Sequence, residues 1–333
     1  MMPASDNSGL VVRGLTTTFE TARGQAIAAA DIDFDVAPGE VVGLVGESGS
    51  GKSVTLRSVM RLIREPGKVT GRVEWGGRDL VAMSDEELRR VRGSEIAMIF
   101  QEPMTALNPV LPVGLQIVEN LSAHTGLGRR ERRARALELM TIVGIPDAER
   151  RLNEYPHQFS GGMRQRAMIA IALACSPKLL LADEPTTALD VTIQDQILKL
   201  LLDLRDRLAM SVVLVTHDLG VVAATCDRMA VMYAGRIVET GTVVDVFAQP
   251  RHPYTRGLLG SVPRGRAVRT MLSSIDGTPP SLTDLPDGCA FHPRCSFATE
   301  QCRRERPPLA PVAPGRLAAC FHHERVAAAE AIL

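Results

Sequence analysis

Gly46-Glu47-Ser48-Gly49-Ser50-Gly51-Lys52-Ser53 fits the spacing G-x-x-x-x-G-K-[ST] and follows directly on the apolar run Val41-Val42-Gly43-Leu44-Val45. Its glycines let the backbone curl so that several N–H groups point inward. The helix expected after Lys52 turns its positive end to the same place, which suits a phosphate. Lys52 is placed to reach β- and γ-phosphates, and the Ser53 hydroxyl to ligate Mg²⁺. A Gly/Ser-rich surface loop would have no reason to sit at the end of an apolar strand. The stretch Gly46, Glu47, Ser48, Gly49, Ser50, Gly51, Lys52 and Ser53 therefore implies nucleoside triphosphate binding in an α/β fold.

Outward from this loop, Leu10 to Phe34 alternates between apolar and polar residues as strands do, and Pro38-Gly39 turns into the Val41–Val45 strand. Ser53 to Ile63 reads as a helix closed by Pro66-Gly67. Val69 to Trp75 reads as a strand with Gly76-Gly77 as its hairpin turn, and Ile96 to Phe100 as a buried strand. Val113 to Gly144 turns helical, and its basic run Arg129 to Arg135 reads as one solvated helix face. Strand and helix alternate again through Leu179–Asp183, a long amphipathic helix over Ile193 to Leu208, and Val212–Val215. The pattern predicts mixed α/β structure with a largely parallel central sheet. Around Gln249-Pro250 the texture changes, prolines crowd in from Gly277 to Pro314, and a boundary near residue 255 is expected.

Bulk properties narrow the field. The 333 residues balance 38 basic against 38 acidic side chains, so no field draws the whole molecule onto nucleic acid. One Trp and three Tyr are too few for a platform that stacks single-stranded bases. No apolar run approaches the ~18 residues a membrane span needs. The polar Met1 to Gly9 stretch lacks the layout of a signal peptide, so a cytosolic protein is expected. Six cysteines there suit thiols or ligands better than disulfides.

Three more stretches carry chemistry. Leu179-Leu180-Leu181-Ala182-Asp183 ends an apolar strand on a carboxylate suited to Mg²⁺, and Glu184 follows where a general base could polarise water. Ser160-Gly161-Gly162 opens a helix with a hydroxyl and two glycine N–H groups, a second anion site. Thr216-His217-Asp218 ends the Val212–Val215 strand and puts His217 at a sheet edge.

In this order, these elements and the Ala188-Leu189-Asp190 triplet resemble the ATP-binding cassette (ABC) family over roughly residues 8 to 255. The resemblance implies a P-loop NTPase of the ABC type, with a mixed sheet core, an antiparallel β subdomain and a helical subdomain about 103–165. It implies ATP and Mg²⁺ as ligands, Glu184 as catalytic base, His217 as switch histidine and Gln101 as the switch glutamine that touches Mg²⁺ and water. Asp183 is then the Mg²⁺ aspartate, and Phe19 the aromatic that stacks on adenine. Ser160, Gly161 and Gly162 become the signature loop that contacts the γ-phosphate held by a partner, and Ala188-Leu189-Asp190 communicates across the dimer. Phe159 and Met163 depart from the usual Leu and Gln of that signature, leaving its Ser and Gly contacts intact.

Gln101-Glu102-Pro103-Met104-Thr105-Ala106-Leu107-Asn108-Pro109 and Arg251-His252-Pro253-Tyr254-Thr255-Arg256-Gly257-Leu258-Leu259 resemble segments of oligopeptide, dipeptide and nickel importer ATPases. The implied assembly holds a second ABC ATPase subunit, two transmembrane permease subunits and an external solute-binding protein, at the cytoplasmic face of the membrane. A nickel or other small-solute importer stays open, as does, more remotely, a non-transport ABC ATPase of translation or DNA maintenance. Residues 256–333 form the expected small, loop-rich C-terminal domain. There Cys289, Cys295, Cys302 and Cys320 lack the tight C-x2–4-C knuckles of structural zinc. Such looser spacing suits a [4Fe–4S] cluster, which the resemblance also implies, while His292, His322 and His323 nearby keep zinc open, and free thiols are the third reading. Cys175 and Cys226 read as buried core thiols.

Overall fold

The computed structural model describes residues 9–22, 24–187, 189–261 and 275–329. These divide into two units. One gathers the described parts of Met1–Val36, Val41–Ala82 and Thr216–Leu333; the other comprises Ala37–Glu40 and Met83–Val215.

In the first unit, period-2 patterning builds a four-stranded antiparallel sheet in the order Gly24–Val36, Leu10–Thr21, Gly67–Trp75, Arg78–Asp79. Its inner face buries Leu10, Val12, Leu15 and Ile32 completely. Gly76 and Gly77 both take positive φ, the geometry that a tight two-residue hairpin demands. A second sheet of this unit runs Ala310–Ala313, Arg316–Ala318, Arg236–Thr242, Arg228–Tyr233, Val41–Val45. Only its last pair is parallel, with Val42 opposite Arg228 and Val45 opposite Val231. The two sheets are joined where the Ala30 N–H donates to the Gly235 carbonyl at 2.8 Å.

The helix after the phosphate loop, expected to reach Ile63, spans Lys52–Val59. Arg61 adopts φ 48°, and the Leu62 N–H reaches back to the Arg57 carbonyl at 2.7 Å. That is a left-handed helix stop made without glycine, so no glycine marks it in the sequence.

The proline- and cysteine-rich tail is built into the first unit. Arg316–Ala318 pairs with Arg236–Thr242, Glu239 lying opposite Ala318. The Glu239 carboxylate is completely buried and accepts the N–H groups of Arg251 and His252, both at 2.8 Å, and the Arg316 guanidinium at 3.1 Å. His252, 2% exposed, caps the Pro253–Gly260 helix by accepting the Tyr254 N–H on Nδ1. Tyr233, Tyr254 and Phe291 stack edge and tilt against one another, with ring centroids 4.6–5.4 Å apart.

The second unit contains three parallel strands in the order Ser211–Thr216, Leu179–Asp183, Ile96–Ile99. The last stops one residue short of expectation, Phe100 being 37% exposed. Its longer helices are Val113–His124, Arg129–Ile142, Gly161–Ala172 and Val191–Leu208. Arg129, Arg130 and Arg133 face solvent while Ala136, Leu139 and Met140 turn inward, as an amphipathic helix should. Among the described residues no helix is long and apolar enough to cross a membrane. Cys175 and Cys226, expected as core thiols, are only half-buried, each at a helix C-terminus or just past it.

Candidate nucleotide site

The Val41–Val45 strand is buried along its whole length and delivers the chain into the phosphate loop. Two glycines are obligatory there. At Gly46 (φ 155°) a Cβ would lie 2.3 Å from the Met232 carbonyl oxygen, and at Gly51 (φ 101°) 2.3 Å from that of Ala28. The loop is thus pressed against neighbouring backbone on both flanks, and a side chain at either place would push it out of shape. Lys52, 4% exposed, opens the following helix, and its ammonium donates to the carbonyls of Gly46 (2.7 Å) and Glu47 (2.9 Å). Ser53 is half-buried in the first helical turn, where its hydroxyl is a hard oxygen donor of the kind Mg²⁺ prefers. Phe19 lies half-buried on the Leu10–Thr21 strand, its ring packed over Gly67.

His217 in this unit follows the Ser211–Thr216 strand and is exposed. Asp218 next to it caps the Leu219–Thr225 helix by accepting the Gly220 N–H at 2.7 Å.

In the second unit Asp183 ends the Leu179–Asp183 strand, wholly buried, a carboxylate matched to a hard cation. Glu184 next to it adopts φ 46°, a left-handed conformation costing about 1–3 kcal/mol for a non-glycine residue. Its N–H is held by the Val215 carbonyl at 3.0 Å. Its carboxylate accepts the Gln101 amide at 3.2 Å and the Thr187 hydroxyl at 2.7 Å. A strained residue fixed at both backbone and side chain is the arrangement a reacting group needs. Gln101, Glu184 and Thr187 are therefore brought together. The sequence reading missed Thr187, although a hydroxyl three residues past a carboxylate in a turn is a recognisable local pairing.

Ser160 and Gly161 stand exposed at the start of the Gly161–Ala172 helix, which Ser160 caps by accepting the Met163 N–H. Phe159, in place of the usual Leu, is 2% exposed, so the aromatic fills a core position below the signature loop and leaves that loop facing outward. Ala188 lies outside the described residues; Leu189 and Asp190 follow, and the Asp190 carboxylate caps the Val191–Leu208 helix through the Ile193 N–H.

The tail cysteines Cys289, Cys295, Cys302 and Cys320 are free and line one small cavity with Phe291, His292 and His322. Burial, with a smaller push from the neighbouring sulfurs, raises the Cys295 thiol to about 11 and that of Cys320 to about 12. The His322 N–H donates to the Cys320 sulfur at 3.3 Å, while the His292 and Ala298 N–H groups donate to the carbonyl oxygens of Cys289 and Cys295. Among the described residues no group of three or more His, Cys, Asp or Glu could hold a metal ion as the side chains stand.

A phosphate loop on a buried strand, a buried aspartate and strained glutamate ending another, and a glycine signature opening a helix define an ABC-type ATPase. The comparisons agree. Residues 29–187 match the family model described as ABC transporter, and residues 238–302 that described as oligopeptide/dipeptide transporter, C-terminal region. The probable peptide ABC transporter ATP-binding protein y4tR of Sinorhizobium fredii is 53% identical over 320 residues, 95% of this chain and 96% of that one. The oligopeptide transport ATP-binding protein OppD of Salmonella typhimurium is 48% identical over 96% of this chain and 95% of its own length. The dipeptide transport ATP-binding protein DppD of Escherichia coli is 52% identical over 87% and 89%. Among solved structures, the ATP-binding cassette MJ0796, a post-hydrolysis dimer bound to ADP and Pi, matches with TM-score 0.64 and 30% identity. That match covers 70% of this chain and 98% of the other. The chain belongs to the ATP-binding subunits of the oligopeptide/dipeptide ABC importer family, and it is an ATP hydrolase.

Proposed function

We propose that this subunit hydrolyses ATP to drive peptide import at the cytoplasmic face of the membrane. It would pair there with a second, related ATPase beneath two permease subunits that receive solute from an external binding protein. The observation that carries this reading is the presence, in one chain, of the fixed Glu184 carboxylate and of the tail matching the oligopeptide/dipeptide transporter C-terminal region.

Each residue has a role in this account. Lys52 and the N–H groups of Gly46 to Ser53 hold the triphosphate, and Phe19 stacks on adenine. Ser53, Gln101 and Asp183 would hold Mg²⁺, which when bound would neutralise negative charge developing on the phosphates. Glu184 accepts the proton of the attacking water, held in place by Thr187 and Gln101, while His217 faces the γ-phosphate. Ser160, Gly161 and Gly162 serve the nucleotide held by the partner ATPase. The exposure of Ser160 and Gly161 supports this, since an anion site on the surface is open to another subunit. Closure of the pair on ATP and its release after hydrolysis then form a two-state cycle driven by differential binding.

The four tail thiols would hold a [4Fe–4S] cluster, whose chemistry when bound is thiolate ligation that cross-links the tail loops. Their clustering in one cavity and the His322 N–H at the Cys320 sulfur support this, because such a donor stabilises thiolate in an iron–sulfur site.

The test is reconstitution of the complex in nanodiscs with its permeases, second ATPase and binding protein. MgATP hydrolysis should rise several-fold with di- or oligopeptide-loaded binding protein. Stimulation by a nickel complex and not by peptides would sink the peptide assignment.

A further inference from the structure

Glu47, the second residue of the phosphate loop, is held on three sides. Its N–H donates to the Tyr254 hydroxyl at 2.7 Å. Its carbonyl accepts the Lys52 ammonium at 2.9 Å and the Ser50 N–H at 3.2 Å. Its carboxylate takes both terminal nitrogens of Arg294, at 2.8 and 3.0 Å, a two-pronged ion pair. Tyr254 and Arg294 both lie in the stretch 238–302 that matches the C-terminal transporter region, 207 and 247 positions along the chain from the loop.

Arg294 is itself boxed in. It is 5% exposed, donates to the carbonyl oxygens of Asp276 and Ile275, reaches the Tyr233 hydroxyl, and lies 5.9 Å from the ring centres of Tyr233 and Phe291. A planar guanidinium locked in this way presents a rigid fork, and a paired fork fixes a carboxylate in direction as well as distance. The backbone N–H and the carboxylate of Glu47 are therefore each held by a tail residue. Lys52 is anchored on the Glu47 carbonyl, so the orientation of Glu47 passes to the lysine.

We propose that Arg294 and Tyr254 are positioning residues for the phosphate loop: the C-terminal extension grips Glu47 and so sets the loop and Lys52 for the triphosphate. This rests on the reading of Lys52 as the phosphate lysine. Neither residue touches the nucleotide in this account. Their contribution is to hold ready a loop that would otherwise sample several shapes, each costing affinity when the wrong one must be abandoned on binding.

The experiment measures MgATP affinity of the full-length chain by fluorescence anisotropy of a labelled ATP, at a temperature where circular dichroism shows each variant folded. Arg294→Lys keeps the charge but loses the fork; Glu47→Gln keeps the shape but loses the charge; Tyr254→Phe removes a single hydroxyl. Each should weaken MgATP binding about five- to twentyfold, well beyond any change in adenosine binding, since only phosphate handling is disturbed. Glu47→Gln and Arg294→Lys combined should be no worse than the poorer single variant, because both break one link. Lys52→Ala should abolish binding. Wild-type affinity in folded Arg294→Lys, Glu47→Gln and Tyr254→Phe, with Lys52→Ala inactive in binding, overturns the inference alone. Undiminished binding by Lys52→Ala overturns the reading beneath it. If Arg294→Lys does not fold, the Glu47→Gln and Tyr254→Phe results decide.

Discussion

The Thr187 hydroxyl donates to the Glu184 carboxylate at 2.7 Å, on the same oxygen that receives the Gln101 amide. One oxygen is thereby held by two donors, which fixes the direction of the carboxylate.

Replacing the base should separate binding from chemistry. Glu184→Gln keeps the shape and the turn but cannot take a proton, so kcat should fall by about 10²–10⁴ while MgATP affinity stays. Thr187→Val removes the orienting donor alone, and kcat should drop about tenfold, the weight of a single hydrogen bond to a charged group. Steady-state hydrolysis with parallel nucleotide binding checks both; wild-type turnover by Glu184→Gln removes the base assignment.

Acid should destabilise the fold through His252. Burial lowers its imidazole from 6.5 to about 3. The unfolded chain therefore binds a proton that the native one refuses, and stability falls as pH drops from about 6.5 towards 3. The loss is on the order of 3–4 kcal/mol across that window. His252→Asn keeps a helix-capping acceptor without the titration. Its melting temperature should depend less on pH between 6.5 and 4, and an unchanged slope would point to other groups.

The buried pair of Glu239 and Arg316 gives a stability prediction. Arg316→Met strands a fully buried carboxylate that also holds two backbone N–H groups, and should cost about 3–5 kcal/mol. Urea titration of the full chain measures it, and a loss under 1 kcal/mol would show that the carboxylate simply takes up a proton.

Much of the nucleotide machinery was legible in the sequence because it is written locally. Glycine spacing before Lys52, the apolar run before Asp183 and the Ser-Gly-Gly opening a helix each depend on neighbours within ten residues. What stayed hidden depends on distance. The grip of Arg294 on Glu47 joins residues 247 apart and the pairing of Arg316 with Glu239 joins residues 77 apart, leaving no periodicity to detect. The strand Ala310–Ala313 was obscured for another reason: it contains Pro311, which a strand tolerates at a sheet's edge, where this one lies. Phe100 reads as strand by its apolarity, but the pairing ends at Ile99 and leaves the ring partly exposed.

The tail thiols make a separable prediction. Full-length protein purified without oxygen should carry iron and inorganic sulfide in equal amounts and be brown. Cys302→Ser, at the one of the four residues that is buried, should lose both. Zinc without iron in the wild-type protein would replace the cluster by a different site.

The way the tail completes the sheet has a practical consequence. A chain cut after the cassette would expose the flank of Arg236–Thr242 along with its orphaned carboxylate at Glu239. Bare strand flanks recruit one another. Trimmed versions intended for crystallisation should therefore clump, whereas the intact polypeptide carries its own cover.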